Sequence, residues 1–267
     1  MMNNDTTTPT GFLLDMDGVL FRGDQPVPGA TAFMSHIEQY PHCFITNNPI
    51  LAPQQVAAKL NRLGIAQATP EQVVTSAQAT AAWLAEQKTD FRYYAVGANG
   101  LHWALEEKGR QDSVNADFVV VGEGVGLDYE TLTIGINLIL QQGARLVCTN
   151  PDINVDGTKN GEPVILPGGA ALVAPFATAT NAAPVFIGKP APALYEMAMK
   201  KLGLTPWDCI MIGDRPDTDI LGAQRLGIRT VLVRTGRFRP GEPLPRGMAP
   251  PDWDVESLGE FIEAITN

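Results

Sequence analysis

The feature that most constrains this chain is an apolar run that leads directly into two aspartates, within residues 11–20 (GFLLDMDGVL). The run predicts a short buried strand, which Asp15 and Asp17 follow. Because residues at i and i+2 of an extended chain point to the same side, the two carboxylates would converge at the end of that strand. Carboxylates are costly to bury without a partner. The pattern therefore predicts a binding site at this strand end, and the alternative interpretation is a strand that ends in an acidic loop.

Strand-like and helix-like segments alternate in both outer parts of the chain. Residues 43–45 and 209–212 are apolar runs typical of strands, whereas residues 30–40, 53–63 and 192–202 have the spacing of amphipathic helices. Such alternation predicts an α/β fold built on a parallel sheet.

The middle of the chain has a strand and helix alternation of its own, interrupted by an irregular Gly-, Asp- and Asn-rich stretch at residues 150–169. We therefore expect an inserted α/β unit, with a strand at residues 185–187 as part of the returning core. The predicted division is a core of residues 11–76 and 184–267, an insert of residues 77–183 and a disordered leader of residues 1–10.

Composition and charge limit the class of protein and of partner. No apolar run reaches the roughly 18 residues that a membrane span needs, and the polar N-terminus does not resemble a secretory signal. A net charge of −10 opposes nonspecific binding to nucleic acid. Three widely spaced cysteines in apolar runs favour reduced core thiols (Cys43, Cys148 and Cys209). We expect a cytoplasmic protein without nucleic-acid or membrane partners.

Polar and charged residues follow four of the predicted core strands. In a parallel sheet the C-terminal strand ends open on one edge, so residues distant in sequence can share one crevice. The oxygen ligands in this set are hard, which favours Mg²⁺ over zinc, and a lysine adds a fixed positive charge. The set comprises Asp15 with Asp17, Thr46 with Asn47, Lys189, and Asp214 with Asp219.

These residue types suit phosphoryl chemistry. Beside Mg²⁺ a carboxylate can attack phosphorus and form an aspartyl-phosphate. A second carboxylate can protonate the leaving oxygen and later activate water. Lysine, hydroxyl and amide donors can stabilise the charge on the phosphoryl oxygens.

The segments D-x-D-G-V-L, T-N, G-K-P and G-D-x-x-x-T-D occur in this order and resemble the motifs of the haloacid dehalogenase (HAD) superfamily of phosphatases. Three more segments are similar to subclass IIA, the NagD-like and p-nitrophenylphosphatase-like branch: T-N-N-P after the second strand, T-S-A-x-A-T at residues 75–80 and T-N-P-D at residues 149–152. The resemblance runs over nearly the whole chain. It implies a Rossmann-like parallel-sheet core that carries the insert as an α/β cap domain.

The resemblance also implies a role for each matching residue of the core. Asp15 is expected to be the nucleophile and Asp17 the general acid and base. Thr46 and Asn47 are expected to bind the phosphate, and Lys189 to orient the nucleophile.

The expected metal is Mg²⁺, held by side chains and one main-chain group of the core. Its implied ligands are Asp15, Asp214 and the main-chain carbonyl of Asp17, with Asp219 acting directly or through water. In the insert, Asn150 and Asp152 are expected to bind the substrate and to discriminate between substrates. Arg215 and Pro216 occupy variable motif positions, and no role is predicted for them.

The predicted activity is Mg²⁺-dependent hydrolysis of small cytosolic phosphate monoesters through an aspartyl-phosphate. The resemblance implies nucleoside monophosphates, sugar or glycol phosphates and pyridoxal phosphate as candidate substrates. Two alternatives stay open: phosphoryl transfer to another acceptor, as in a mutase, and a non-catalytic phosphate-sensing protein on the same scaffold. The branch also allows a homo-oligomer, which no residue pattern here demonstrates.

Several further patterns are interpreted as structural. The acidic residues near position 154 lack the spacing of a calcium loop, and the glycines near position 124 lack the spacing of a dinucleotide fingerprint. An arginine group in the last quarter of the chain is interpreted as a solvated surface, and the alternative is a site for an anionic substrate or partner. These patterns are Asp152, Asn154 and Asp156; Gly122, Gly124 and Gly126; and Arg234, Arg237, Arg239 and Arg246.

Overall fold

The computed structural model describes residues 11–159 and 161–266. The leader predicted at residues 1–10 lies outside the described residues. The elements up to the insert are β1 (Gly11–Leu14), β2 (Phe21–Arg22), β3 (Gln25–Pro26), α1 (Ala30–Ile37), β4 (His42–Thr46), α2 (Pro53–Arg62) and β5 (Val73–Thr75).

The middle of the chain contains the next set of elements. They are α3 (Ser76–Gln87), β6 (Arg92–Val96), α4 (Asn99–Glu106), β7 (Arg110–Gln111), β8 (Phe118–Val121), α5 (Tyr129–Gln142), β9 (Arg145–Cys148), β10 (Asn154–Lys159), β11 (Glu162–Pro167), α6 (Gly169–Thr180) and β12 (Val185–Phe186).

The C-terminal part completes the fold. Its elements are α7 (Ala193–Leu202), β13 (Cys209–Gly213), α8 (Leu221–Arg225), β14 (Arg229–Val233), β15 (Trp253–Val255) and α9 (Leu258–Thr266). A π-helical turn, Pro216–Ile220, precedes α8. The sequence predicts one α-helix over residues 218–226, whereas the structure has the π-helical turn followed by the shorter helix α8. The Tyr195 hydroxyl donates to the carbonyls of Thr218 and Asp219 in it, at 2.9 and 3.0 Å.

Six parallel strands form one sheet, here called the core sheet, in the order β15-β14-β13-β1-β4-β5. Strand β1 lies between β13 and β4 and is buried along its whole length, as expected for a strand covered on both faces. Leu13 faces one apolar cluster, whereas Phe12 and Leu14 face another. The predicted α/β class with a parallel sheet is confirmed.

Five parallel strands form a second sheet, here called the insert sheet, in the order β12-β9-β8-β6-β7. One prediction about the edge of this sheet is wrong. The strand at residues 185–187 was predicted to be part of the returning core. It instead belongs to the insert sheet, where it pairs with β9, Val185 opposite Val147. A strand of two residues is too short for its sequence to indicate which sheet it joins. Its position depends on the edge of β9, with which it pairs. The predicted boundaries between core and insert at residues 77, 183 and 184 otherwise stay predictions.

The two sheets share one apolar layer. One face of each sheet contributes to the same buried cluster, which includes Leu13 from the core sheet and Tyr93 and Val120 from the insert sheet. The opposite face of the insert sheet packs on α5 and α6 in a separate cluster that includes Phe176. The insert therefore has its own core on one face only, and its other face joins the core sheet through a shared cluster that also contains residues of α3, α4 and α7.

Strands β10 and β11 form an antiparallel hairpin where the sequence predicts an irregular stretch. Most residues of the hairpin are exposed on both faces, so the alternation of apolar and polar residues that identifies a half-buried strand is missing. None of the described helices is long and apolar enough to span a bilayer; the longest, α5, has 14 residues.

Candidate active site

Three neighbouring strands at the centre of the core sheet carry polar residues at their C-terminal ends. Asp15 follows β1, Thr46 ends β4 and Asp214 follows β13. The Asp15 N–H donates to the Ile212 carbonyl at 2.9 Å, which continues the ladder between β1 and β13 and fixes the position of this aspartate. The sheet thus places three predicted site residues side by side.

A buried cluster of three carboxylates and one ammonium lies at this edge. Ligand oxygens of Asp15, Asp214 and Asp219 lie within 4.8 Å of one another. The Lys189 ammonium is 2.6 Å from Asp15 Oδ1 and 2.7 Å from Asp219 Oδ1. Lys189 and Asp219 are only 2% and 1% exposed. Four residues that lie far apart in the sequence, between Asp15 and Asp219, therefore form one charged centre.

Burial sets the electrostatics of this centre. It raises the pKa of Asp15, with Asp219 and Asp214 adding to the rise and Lys189 opposing it. Burial and then Asp219 raise the pKa of Asp214 to about 7. Burial alone would lower the pKa of Lys189, but Asp15 and Asp219 outweigh it and raise this pKa. One lysine does not neutralise three carboxylates, so the cluster favours an additional cation.

The donor set fits a hard divalent cation. Three carboxylates converge without histidine or thiol, which matches the preference of Mg²⁺ for oxygen ligands. Main-chain N–H groups orient two of them: Arg237 donates to Asp214 Oδ2 at 2.9 Å, and Arg215 donates to Asp219 Oδ2 at 3.1 Å. A Cβ added to Gly236 would lie 1.7 Å from Asp214 Oδ2, so only glycine permits this close approach.

Asp17 lies outside this carboxylate cluster. Its side chain is exposed and lines a pocket together with Thr46. Although water reaches the side chain, the surrounding protein partly desolvates the carboxyl and raises its pKa, with Lys59 and Lys189 opposing the rise. A raised pKa favours the protonated form that a general acid needs. Metal binding by the Asp17 main-chain carbonyl stays a prediction.

Thr46 and Asn47 differ in the side-chain hydrogen-bonding groups that remain for a ligand. Thr46 is buried, and its Oγ1 accepts from the Asn48 N–H at 3.1 Å, which leaves the hydroxyl proton for a ligand. Asn47 holds the main chain of Lys189: its Oδ1 accepts from the Lys189 N–H at 2.7 Å and its Nδ2 donates to the Lys189 carbonyl at 3.1 Å. The amide thus fixes the lysine that faces Asp15, and direct phosphate binding by Asn47 stays a prediction.

Asn150 and Asp152 lie where the insert meets the core. Asn150 Nδ2 donates to the Asn47 carbonyl at 2.9 Å, and Asp152 Oδ2 accepts from Asn47 Nδ2 at 3.0 Å. Asp152 also forms an ion pair with Arg215, the residue after Asp214. Both predicted cap residues are buried in these contacts. The structure brings them to residues that follow β4 and β13 of the core sheet, and their role in substrate choice stays a prediction.

Sequence reasoning missed three residues that form these contacts. Arg215 received no role, although it connects the Asp214 loop to Asp152. Arg237 is interpreted from the sequence as a solvated surface residue; it is exposed, and it also binds both carboxylate oxygens of Asp156 in the hairpin, at 2.8 and 2.9 Å. Glu123 follows β8 inside a glycine-rich turn. A single acidic residue directly after an apolar strand was the only available signal for it.

Glu123 is a buried carboxyl next to the site. It is 2% exposed, its Oε1 accepts from Asn150 Nδ2 at 2.7 Å, and its Oε2 has no hydrogen-bond partner among the described residues. Burial raises its pKa to about 7; the hydrogen bond from Asn150 opposes the rise, and Asp152 and Asp17 add to it.

This shift predicts a pH-dependent effect of Glu123→Gln. Between about pH 4.5 and pH 7 the folded state keeps a proton that the unfolded state loses, so stability falls as pH rises. We expect the variant to match the native protein at pH 4.5 and to be more stable at pH 8, by up to about 3 kcal/mol. Urea unfolding at the two pH values measures this. A difference in unfolding free energy between variant and native protein that is equal at the two pH values would contradict this prediction.

Comparison with known proteins agrees with this geometry. The family model for haloacid dehalogenase-like hydrolases matches residues 12–111, and a second model of HAD-hydrolase-like domains matches residues 186–261. The chain belongs to the haloacid dehalogenase-like hydrolase family. The two matches flank most of the insert, as expected for a core that is discontinuous in sequence.

Relatives with long alignments narrow this assignment. The chain is 38% identical to the 5'-nucleotidase YutF of Bacillus subtilis over 261 residues, which cover 97% of this chain and 99% of the relative. It is 38% identical to the acid sugar phosphatase of Staphylococcus haemolyticus over 230 residues, 85% of each chain. The structure of NagD from Escherichia coli K-12 superposes with a TM-score of 0.83 at 28% identity, covering 95% of this chain and 98% of NagD. The chain is a NagD-like phosphatase, and the predicted family and enzyme class are confirmed.

Proposed function

We propose that this protein is a Mg²⁺-dependent phosphomonoesterase that acts through an aspartyl-phosphate on Asp15. The observation that carries the proposal is the buried centre in which Lys189 contacts both Asp15 and Asp219 while Asp214 lies within 4.8 Å of them. Such a centre combines a fixed nucleophile with local positive charge, which is what an attack on a phosphate dianion requires.

Each residue has a chemical task in the first half of the proposed reaction. An Asp15 carboxylate oxygen attacks phosphorus, forming the P–O bond of the aspartyl-phosphate as the bond to the ester oxygen breaks. Asp17 donates a proton to that leaving oxygen. The Lys189 ammonium and the Thr46 hydroxyl donate to the phosphoryl oxygens.

In the second half, the Asp17 carboxylate takes a proton from a water molecule as that water attacks phosphorus. Free phosphate leaves, and Asp15 returns as a carboxylate. Bound Mg²⁺ would supply charge neutralisation between the carboxylates and the phosphoryl group. The residues that we propose would hold it are Asp15, Asp214 and Asp219, with the main-chain carbonyl of Asp17.

The proposed substrates are small phosphate monoesters. The names of two relatives, a 5'-nucleotidase and an acid sugar phosphatase, support nucleoside monophosphates and sugar phosphates as the first compounds to test. We propose a cytoplasmic location, which is supported by three cysteines that are all buried and unpaired.

Metal dependence tests the proposal directly. We expect phosphate release from p-nitrophenyl phosphate to fall at least about 100-fold in EDTA and to recover with excess Mg²⁺, because the three carboxylates need a cation to accept a phosphate dianion. Free phosphate is measured beside p-nitrophenol, with a glycerol-free buffer as the control for transfer to an alcohol acceptor. Undiminished turnover in EDTA would contradict the metal requirement, and the absence of turnover in both conditions would contradict the phosphatase activity.

A further inference from the structure

The segment that carries Lys189 is attached to the insert sheet. Strand β12 pairs with β9, and the N–H of Ile187, directly after β12, donates to the Cys148 carbonyl at 3.1 Å. Gly188 lies close against the chain after β9, because a Cβ added to it would be 2.6 Å from the Thr149 carbonyl oxygen. The insert therefore sets the position of the main chain immediately before Lys189.

Asn47 is the second support of Lys189, and both hydrogens of its side-chain amide are used. Its Nδ2 donates to the Lys189 carbonyl at 3.1 Å and to Asp152 Oδ2 at 3.0 Å, while its Oδ1 accepts from the Lys189 N–H at 2.7 Å. The main-chain carbonyl of Asn47 accepts from Asn150 Nδ2 at 2.9 Å. Residues of the insert thus hold the amide that holds Lys189.

Glu123 is the buried end of this series of contacts. It follows β8, and Asn150 follows the neighbouring strand β9. Asn150 Nδ2 donates to Glu123 Oε1 at 2.7 Å as well as to the Asn47 carbonyl. The Asn150 amide oxygen accepts from the N–H groups of Asp152 and Gly169, at 3.1 and 3.2 Å. The orientation of the Asn150 amide is therefore set on both sides, and Glu123 supplies one of them.

Stability alone does not explain a carboxyl at this position. Glu123 is 2% exposed, and among residues 11–159 and 161–266 no group forms a hydrogen bond with its Oε2. A buried carboxyl oxygen without a partner costs free energy that an apolar side chain of similar size would not. What the carboxyl provides is an acceptor for Asn150, directed at the contacts of Lys189.

We propose that Glu123 is a positioning residue of the phosphatase reaction, which orients the Asn150 amide and, through Asn47, holds Lys189 against Asp15. This inference rests on the proposed function. The Lys189 ammonium donates to Asp15 Oδ1 at 2.6 Å, and it can stabilise charge on a phosphoryl oxygen only at a similar distance. A displacement of about 1 Å can lower a rate about 100-fold. The role requires an acceptor atom at Oε1, whereas the negative charge of Glu123 is not needed.

The test compares a variant that keeps the acceptor with one that removes it. Glu123→Gln keeps an amide oxygen, so kcat for p-nitrophenyl phosphate with Mg²⁺ should stay within about 3-fold of the native value. Glu123→Met has a similar length and no acceptor oxygen, and it should lower kcat by about 10- to 100-fold with KM changed less than about 3-fold. Both variants lose the charge, so the difference between them measures the hydrogen bond. Glu130→Met is the matched control, because Glu130 is exposed in the first turn of α5.

Amide hydrogen exchange, measured by NMR, separates positioning from a general loss of stability. The Lys189 N–H donates to Asn47 Oδ1, so it should exchange at least about 10-fold faster in Glu123→Met and at the native rate in Glu123→Gln. The Asp15 N–H donates to the Ile212 carbonyl in the core sheet and should keep its native rate in both variants. If Glu123→Met does not fold, Glu123→Asp replaces it, because the shorter side chain withdraws the carboxylate from Asn150.

Each other outcome overturns the inference. A native kcat in Glu123→Met would mean that Lys189 needs no support from Glu123. An equal loss in Glu123→Gln and Glu123→Met would mean that the charge of Glu123 acts instead of its acceptor oxygen. Faster exchange of the Asp15 N–H together with that of Lys189 would mean a general loss of stability. In these three cases the proposed function stands, whereas a native protein that releases no phosphate with Mg²⁺ would overturn both.

Discussion

Asp15→Asn is expected to lower kcat for hydrolysis of any phosphate ester by at least about 10⁴-fold, because a neutral amide does not attack phosphorus to form the covalent intermediate. The fold should persist. Lys189 keeps Asp219 at 2.7 Å, and the variant removes one of three mutually repelling carboxylates. We therefore expect a Tm in EDTA equal to or above that of the native protein.

Two measurements accompany this variant. Native protein quenched during turnover should carry a phosphoryl group on Asp15, detected by mass spectrometry, and the variant should carry none. Asp24→Asn is the matched control, since Asp24 is an exposed carboxylate between β2 and β3 and should leave kcat unchanged. Retention of more than a few per cent of activity by Asp15→Asn would refute the assignment of the nucleophile.

Lys189→Met is expected to have the largest effect on stability. Removing the ammonium leaves Asp15 and Asp219 buried without their cation, and breaking a buried pair of this kind costs about 3–5 kcal/mol. The free energy of unfolding in urea with EDTA measures this loss. Activity should fall as well, because the phosphoryl oxygens lose a positive donor.

Mg²⁺ distinguishes this electrostatic cause from lost packing. A cation that binds the folded state would restore positive charge to the carboxylates, so the stability gap between native protein and variant should narrow at saturating Mg²⁺. A gap that is the same with and without Mg²⁺ would indicate a packing defect. Lys200→Met controls for removal of a lysine charge, because Lys200 is exposed in the last turn of α7. Stability of Lys189→Met equal to that of the native protein in EDTA would refute the prediction for Lys189.

Local pattern explains why much of the centre could be predicted. An apolar strand followed by Asp15 and Asp17 predicts two carboxylates at a C-terminal strand end in any parallel sheet, because alternation and strand direction are properties of the backbone. The same holds for Thr46 at the end of β4 and Asp214 after β13, which the core sheet brings to neighbouring positions. Lys189 was predicted at the end of a core strand, but β12 before it joins the insert sheet, so strand direction in the core does not explain its position. Its contacts with Asp15 and Asp219 agree with the role that the motif implies.

Long-range contacts explain what could not be predicted. Asn47 has the same sequence context whether it binds phosphate or Lys189, and only the approach of residues 188–190 shows that its amide holds the lysine. Glu123 and Arg215 gain their importance from Asn150 and Asp152. Asn150 reaches Glu123 from the neighbouring strand end of the insert sheet, and Asp152 reaches Arg215 from the insert to the core. Strand β12 joined the insert sheet for a related reason, since pairing depends on which sheet edge lies nearby.

The sequence by itself determined the family, the parallel α/β core and the residue types of the charged centre, because these depend on strand alternation and on charge at strand ends. Only the tertiary structure decided which groups contact one another around that centre. Lys59 is one lysine on an amphipathic helix in the sequence, and it lies over the Phe21 ring and lines the same pocket as Asp17 because α2 packs beside the chain after β1. Charge identity is a local property of the chain, whereas the partner of a charge is set by packing between distant segments.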